Sequence, residues 1–300
     1  PSRGLGDVYK RQNQMLRYLT LIFYGVFGIG CIYAFLLIFC FSTFKIPSDS
    51  MEPQLQTGDQ VLVNKWIAGP RLFNIFASMK GKRVDIYRVP GVGQIKRNDI
   101  LVFNYPHPYS WERIEMHIMQ YYIKRCLGLP GDSIRIEQGF YRNNHTKEPL
   151  GNVESQANLS RQKADRMPDG VYRCFPFDST FNWNVHDFGP LYIPRKGDRI
   201  TVNQTNYKLY KQMIEWESKD SLSWKDSKVY IGDKQVRQYQ FQSNYYFVAG
   251  DKTENSRDSR YLGLIPEEFI VGVAWKVWKS VDPYTGEYRK GRFWKNIRNN

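Results

Sequence analysis

The feature that most constrains this chain is an uncharged apolar run, YLTLIFYGVFGIGCIYAFLLIFCFSTF, which extends from Tyr18 to Phe44. A helix of about 20 apolar residues spans the hydrocarbon core of a bilayer, so the run predicts one transmembrane helix. A cleaved signal peptide is disfavoured because its apolar region has only about 7–15 residues, and a buried core helix of this length is unusual. Arg17 precedes the run, so the positive-inside rule predicts a cytoplasmic N-terminus and places the chain after Phe44 outside.

The residues before the first methionine, PSRGLGDVYKRQNQ, resemble a translated remnant of a sequencing adapter. We expect the protein to begin at or near Met15 and assign these residues no function. The predicted organisation is a non-native leader over 1–14, a transmembrane anchor over 15–44, a first part of the catalytic core over 45–137, an inserted region over 138–245, a second part of the core over 246–280, and a basic tail over 281–300.

The formal net charge of +14 indicates an anionic partner. Nucleic acid is the usual inference from such a charge, and anionic lipid headgroups are the alternative. The apolar run favours lipid, so we predict a membrane partner and no nucleic acid. The 42% of hydrophobic residues and 16% of aromatic residues are enough for a core, which excludes a disordered chain.

The cysteine and histidine residues form no pattern typical of a metal site. The sequence has no CxxC pair, no HExxH motif and no Cys/His cluster at zinc spacing, and GLPGDS lacks the Lys-Ser/Thr of a phosphate-binding loop. We therefore predict no metal and no cofactor. Cys126 and Cys174 would lie outside the membrane, where a disulfide is permitted, and the sequence leaves open whether they pair.

After the apolar run, short β-branched or aromatic segments bounded by Gly, Asp or Pro predict a mainly β fold. The best soluble helix candidate is NYKLYKQMIEWES, 206–218. The polar stretch over 138–170 is predicted to be loop or a poorly packed insertion, and IPEEFIVGVAWKVWKS to be a turn followed by a strand. The predicted strands are DQVLVNKW, DILVFNYP, YYIKRCLG, DSIRIEQG, DRITVN, SKVYIGD and YYFVAGD.

A rigid turn with two serines, FKIPSDSMEPQL, directly follows the apolar run. A serine is a poor nucleophile unless a base removes its proton, and no histidine lies in a motif-like setting. A lysine can be that base if desolvation lowers its pKa. Lys124 lies in the apolar strand segment YYIKRCLGLPGD, where strand alternation puts it and Arg125 on opposite faces. A lone strand lysine is ordinarily a surface residue, so this interpretation depends on its partners.

Four segments in order, IPSDSMEPQLQTGD, NDILVFNYP, YYIKRCLGLPGD and GDKTENSRDSRYLGLIP, resemble the conserved boxes of bacterial type I signal peptidases, which are membrane-anchored Ser/Lys proteases. The resemblance covers roughly 15–136 and 245–280. It implies an all-β catalytic core with an inserted second region. It also implies a serine endopeptidase that removes signal peptides from exported preproteins after a small-x-small motif, through an acyl-enzyme. The implied location is the bacterial cytoplasmic (inner) membrane, single-pass, with the catalytic domain on the periplasmic side and activity as a monomer.

The resemblance assigns roles position by position. Ser50 matches the nucleophile, Lys124 its general base, Ser48 the side-chain oxyanion donor, and Ser256 the serine that orients the lysine. Residues that match the substrate-binding positions are Phe44, Ile46, Met51, Leu55, Val102, Tyr122 and Ile123, and those that match structural positions are Arg125, Gly250, Asp251, Asp258 and Arg260, with Asp251 implied to pair with Arg125.

Two positions depart from the family pattern. Lys252 follows Asp251 where the family has Asn, and we expect an extra cation there to affect the loop or to depress the lysine pKa further. Arg97-Asn98-Asp99 replaces the more usual Gly-Asp, and Asn also tolerates tight turns.

Three other functions would account for parts of the sequence. A membrane-anchored binding protein on a degenerate protease fold would have lost Ser50 or Lys124, and both are present. A self-cleaving repressor of the related Ser/Lys fold would need an N-terminal DNA-binding domain where the apolar run lies. Nucleic-acid binding through the basic charge is a further alternative, although much of that charge can serve a membrane face.

Overall fold

The computed structural model describes residues 3–74, 76–77 and 86–297. Its first element is helix α1, Arg3–Phe35, followed by a π-helical turn, Leu36–Cys40, and strand β1, Phe41–Lys45. Within α1, Tyr9–Phe35 is long and apolar enough to cross a membrane, and its most apolar stretch is not buried in the fold. The apolar run of the sequence is thus divided between a helix and the first strand, and α1 already begins within the segment predicted to be a non-native leader.

The further helices whose full extent lies in the described residues are short except for one. They are α2 (Val153–Ser160), α3 (Asp169–Tyr172), α4 (Gln204–Ser218) and α5 (Ser259–Leu262). The further strands are β2 (Asp59–Asn64), β3 (Arg71–Leu72), β4 (Tyr87–Arg88), β5 (Ile100–Asn104), β6 (Tyr121–Gly128), β7 (Ser133–Glu137), β8 (Phe140–Asn143), β9 (Phe188–Tyr192), β10 (Arg199–Thr201), β11 (Leu222–Lys225), β12 (Lys228–Ile231), β13 (Lys234–Val236), β14 (Gln238–Gln240), β15 (Tyr245–Ala249), β16 (Ile265–Pro266), β17 (Ile270–Ser280) and β18 (Lys295–Asn296). The mainly β fold predicted from the sequence is confirmed.

The largest sheet in the described residues has eight strands, in the order β1-β2-β17-β5-β6-β15-β16, with β18 beside β17. All of its pairings are antiparallel. Every residue of β5 and β15 is buried, which fits their continuous apolar sequences, whereas β2 alternates buried and half-buried residues. The sequence segments predicted as strands all contain one, as does the predicted turn and strand over 265–280.

The region over 138–245 packs on this sheet with secondary structure of its own. It holds the β10-β14 and β11-β12-β13 sheets, the strands β8 and β9 that flank β7 of the preceding segment, and helix α4, which confirms the helix predicted over 206–218. The loop predicted over 138–170 is wrong at β8 and α2. Gln156 of α2 is buried, donates to Leu150 O at 2.7 Å and accepts from Tyr141 N at 3.0 Å. The sequence did not predict this helix because its buried face includes polar side chains and therefore lacks a clear apolar periodicity.

The tail is docked on the large sheet rather than solvated. Arg292 donates from Nε to Asp59 Oδ1 at 2.9 Å and from Nη2 to Gln54 O at 2.8 Å, and Asp59 is completely buried. Ile297 is also buried, in the smaller of two apolar clusters. Residues 298–300 of the predicted tail lie outside the described residues.

Candidate active site

Ser50 lies on a turn that the backbone and the core both fix. The turn leaves β1 and returns to β2 through Ile46 N to Asp59 O at 2.8 Å and Gly58 N to Ile46 O at 2.9 Å. Met51 and Leu55 lie on the inner side with no exposed surface, in a cluster with Val102. Because apolar side chains pack closely beneath it, the turn has little freedom to move. Ser50 itself is 9% exposed.

Lys124 lies on β6, and its Nζ is 2.6 Å from Ser50 Oγ. Its register partner is Leu101 of β5, and the lysine is only 4% exposed. Burial lowers the pKa of Lys124 from 10.5 to about 8, although the carboxylates of Asp258 and Asp251 oppose that shift. A part of the lysine is therefore neutral near neutral pH and able to accept a proton from the serine.

Arg125 faces away from Lys124, as the strand alternation predicts. It donates to both carboxylate oxygens of Asp251, from Nε and Nη2, at 2.6 Å each, and from Nη1 to Asn98 O at 2.7 Å. The pair of Arg125 and Asp251 is the one that the family resemblance implies. It joins β6 to the end of β15, from which the next loop starts.

A second ion pair, Asp258 with Arg260, is buried inside that loop, with side chains 0% and 1% exposed. Arg260 donates to Asp258 from Nε and Nη2 at 2.9 Å each and to Thr253 O at 2.8 Å, and Gly250 N donates to Asp258 at 3.0 Å. Burial raises the pKa of Asp258, but the charge and hydrogen bonds of Arg260 outweigh it and hold the pKa below the ordinary value. Both groups are therefore ionised, and removing one partner would leave a buried charge.

Gly250 lets the loop approach the turn that carries Ser50. A Cβ at this position would lie 2.2 Å from Ser256 Oγ and 2.6 Å from Ser50 O. Ser256 thus lies beside the main chain of Ser50 with its hydroxyl buried, but no hydrogen bond joins Ser256 Oγ to Lys124 in the described residues. Ser48, two residues before Ser50, is exposed.

The positions matched to substrate binding divide into two groups. Ile46, Met51, Leu55 and Val102 are at most 1% exposed and form the layer beneath the turn. Phe44, Tyr122 and Ile123 are partly exposed.

Sequence reasoning missed Tyr121, whose ring contacts that of Phe44 edge-on with centroids 4.9 Å apart. The double tyrosine of YYIKR was the available signal. The contact joins edge strand β1 to the start of β6, which otherwise belong to separate parts of the sheet.

Sequence reasoning also missed Asp49. The Lys252 side chain donates to its carboxylate, as does Asn255 Nδ2, at 3.1 and 3.2 Å. The extra cation noted in the sequence is thus paired with an acid between the two serines.

No group of His, Cys, Asp and Glu side chains suited to a metal ion occurs in the described part of the chain. Cys126 and Cys174 are both free and buried, which answers the question that the sequence left open. Burial raises the pKa of the Cys174 thiol to about 12, so this thiol is unreactive.

Comparisons with known proteins show which family the chain resembles. The sequence model of the family described as "Signal peptidase, peptidase S26" matches residues 19–278. Signal peptidase I of Buchnera aphidicola subsp. Acyrthosiphon pisum is 29% identical over 263 residues, which cover 84% of this chain and 73% of that protein. Signal peptidase I of Pseudomonas aeruginosa is 29% identical over 272 residues, which cover 87% of this chain and 73% of that protein. A crystal structure of a signal peptidase I from Enterococcus faecalis V583 covers 61% of this chain and 98% of its own, at 17% identity and a TM-score of 0.30.

Proposed function

The chain belongs to the S26 family of signal peptidases, and we propose that it removes N-terminal signal peptides from exported preproteins through Ser50 and Lys124. One observation carries this proposal. The Lys124 amine and the Ser50 hydroxyl are in hydrogen-bond contact at 2.6 Å in a buried site. A base 4% exposed with a pKa lowered to about 8 suits general-base catalysis near neutral pH.

The proposed acylation starts when neutral Lys124 accepts the proton of the Ser50 hydroxyl. Ser50 Oγ attacks the carbonyl carbon of the scissile peptide, and the carbonyl oxygen becomes an oxyanion. The hydroxyl of Ser48 and the N–H of Ser50 would stabilise it, each contributing roughly 3–4 kcal/mol. When the C–N bond breaks, the Lys124 ammonium gives its proton to the leaving amine, and an ester to Ser50 remains.

Deacylation would use the same groups. Lys124, neutral again, accepts a proton from a water molecule whose oxygen attacks the ester. The second tetrahedral intermediate collapses, the proton passes from Lys124 to Ser50 Oγ, and the signal peptide leaves with a new carboxylate. We further propose that the chain is active as a monomer.

Two free strand edges support binding of an extended substrate beside Ser50. Within the described residues, β1 pairs only with β2, and β15 pairs with β6 only from Arg125 onward. An extended peptide could therefore hydrogen-bond to β1 and to the start of β6 by strand addition. The rings of Phe44 and Tyr121 meet between these edges, and the layer beneath is fully packed. We propose that this leaves room only for small side chains at the first and third positions before the cut, which gives the small-x-small preference.

The placement of the site supports a membrane-bound substrate. β1 follows α1 after one π-helical turn, so the site would lie close to the bilayer surface if α1 spans the membrane. Arg17 before the apolar run favours a cytoplasmic N-terminus, and the catalytic domain then faces the periplasm of a bacterial inner membrane. Trp275 stacks on Phe41, and Lys276 Nζ lies 5.0 and 5.1 Å from the ring centroids of Trp275 and Trp294. Aromatic and basic side chains of this kind suit an anionic lipid interface.

The test is cleavage of a preprotein by the detergent-solubilised full chain beside Ser50→Ala and Lys124→Ala. We expect the parent to cut after a small-x-small motif, identified by mass spectrometry of the new N-terminus, and both variants to be inactive although folded. Cleavage that survives either substitution would overturn the assignment of Ser50 and Lys124.

A further inference from the structure

Asp49 places a carboxylate between the two serines of the nucleophile turn, and a neighbouring loop holds it. Lys252 donates to this carboxylate from Nζ, and Asn255 donates from Nδ2 at 3.1 and 3.2 Å. The same loop binds the backbone of the turn, because Lys252 N donates to Ser50 O at 3.1 Å. Two side chains and one amide of this loop therefore hold the turn, in addition to the apolar layer beneath it.

An unpaired carboxylate here would oppose the proposed chemistry in two ways. Negative charge near Lys124 raises its pKa, and the charge of Asp49 acts in that direction. It would also repel the oxyanion that forms beside Ser48 and Ser50. The hydrogen bond from Lys252 lowers the pKa of Asp49, so the acid is charged wherever the enzyme works. The charged groups around Lys124 are Asp258, Asp251, Arg260 and Asp49, with the Tyr122 ring 5.8 Å from Nζ, and those around Lys252 are Asp49, Glu52 and Glu254.

We propose that Lys252 is a positioning residue for the nucleophile. It compensates the charge of Asp49 and, together with Asn255, holds that carboxylate on the outer side of the turn, away from Lys124 and from the oxyanion. This inference rests on the proposed roles of Ser50 and Lys124.

A stability role alone would not account for the pair. The side chains of Lys252 and Asp49 are 32% and 37% exposed, and ion pairs at such exposure contribute little to folding. An effect of the pair on the pKa of Lys124 would change activity only at pH values where this lysine titrates. A loss of folding would lower activity at every pH. The pH profile therefore separates the two roles.

The experiment measures kcat and KM of the detergent-solubilised full chain between pH 6 and 9.5, on a preprotein whose signal peptide ends in Ala-x-Ala. The variants are Lys252→Met, Asp49→Asn, their double variant, and Lys228→Met as a control that removes an exposed lysine from β12. We expect Lys252→Met to move the acidic limb of the plot of kcat against pH to higher pH by about half a pH unit. That shift lowers kcat about threefold at pH 7, with KM unchanged, and has no effect near pH 9.5. Asp49→Asn should move this limb to lower pH, and the double variant should have the same pH profile as the parent. The control Lys228→Met should not differ from the parent.

Several outcomes would overturn the proposal while leaving the proposed function intact. They are an unchanged profile for Lys252→Met, a loss that is equal at all pH values, or a double variant no better than the single one. Ser50→Ala and Lys124→Ala are run in parallel. If either of them still cleaves, the proposed function fails, and that result is distinct from a failure of Lys252 alone.

Discussion

Lys124 Nζ and Ser50 Oγ lie 2.6 Å apart although 74 positions separate the two residues in the chain. β5 and β6 bring the lysine across the sheet, and the packed turn after β1 presents the serine to it. The contact is buried, so a proton can pass between the two groups without a water molecule. The same burial disfavours the charged lysine, so the proposed activity and the stability of this protein depend on the same side chain.

Activity should rise with pH through the pKa of Lys124. Burial lowers that pKa to about 8, and only the neutral amine can accept the serine proton. We therefore expect kcat/KM to increase about tenfold per pH unit below this value and to level off above it. The measurement is the rate of preprotein cleavage from pH 6 to 10. A rate independent of pH over this range would contradict the role of Lys124 as the base.

Lys124→Met should remove activity and stabilise the fold. The lysine pKa is 10.5 in the unfolded chain and about 8 in the folded one, so the folded state disfavours the charged form. This penalty is complete below pH 8 and disappears as the pH rises to the unfolded value, and it amounts to at most about 3 kcal/mol. Met has a similar shape and carries no charge. Thermal unfolding in detergent should show a higher Tm for the variant at pH 7 and a smaller difference at pH 10. A Tm at or below that of the parent at pH 7 would argue against a desolvated lysine.

Gly250→Ala should displace the loop that carries Ser256. The new Cβ would lie 2.6 Å from Ser50 O, which is backbone and cannot rotate away. We expect a loss of about 1–3 kcal/mol in stability, as for other overpacked sites, and a larger loss of kcat than of substrate affinity. Gly170→Ala is the matched control, because a Cβ there would meet no atom within 4 Å. Parent-like melting and cleavage by Gly250→Ala would mean that the loop is not held against the nucleophile turn.

Local patterns predicted much of this molecule, and contacts distant in sequence explain what they missed. Buried and half-buried residues alternate along β2, whereas β5 is continuously apolar, and both patterns are typical of strands. The apolar run is apolar along its whole length, so no change in its residue pattern indicated that the helix ends at Phe35. The ion pair of Asp49 with Lys252 joins residues 203 positions apart. The residues next to Lys252 in the sequence do not indicate Asp49 as its partner, and those next to Asp49 do not indicate Lys252. The sequence alone therefore could not predict this pair.

The aromatic and basic face beside the anchor should contact lipid. Phe41, the first residue after the π-helical turn, stacks on Trp275 with ring centroids 6.0 Å apart. Trp275 and Trp294 are 38% and 51% exposed. Exposed tryptophans flanked by lysines favour the headgroup region of a bilayer, where the ring is partly buried and the cation meets anionic lipid.

The test reconstitutes the full chain in vesicles of brominated phosphatidylcholine and phosphatidylglycerol and measures quenching of tryptophan fluorescence. Trp275→Phe with Trp294→Phe should remove most of the quenched signal, whereas Trp224→Phe, on β11 of the inserted region, should leave it unchanged. Lys276→Gln with Lys279→Gln should weaken the response to phosphatidylglycerol by about 1 kcal/mol per lysine, and added salt should reduce the difference. Quenching that is equal in all the tryptophan variants would place this face in solvent, and α1 would then be the sole lipid contact that the described structure offers.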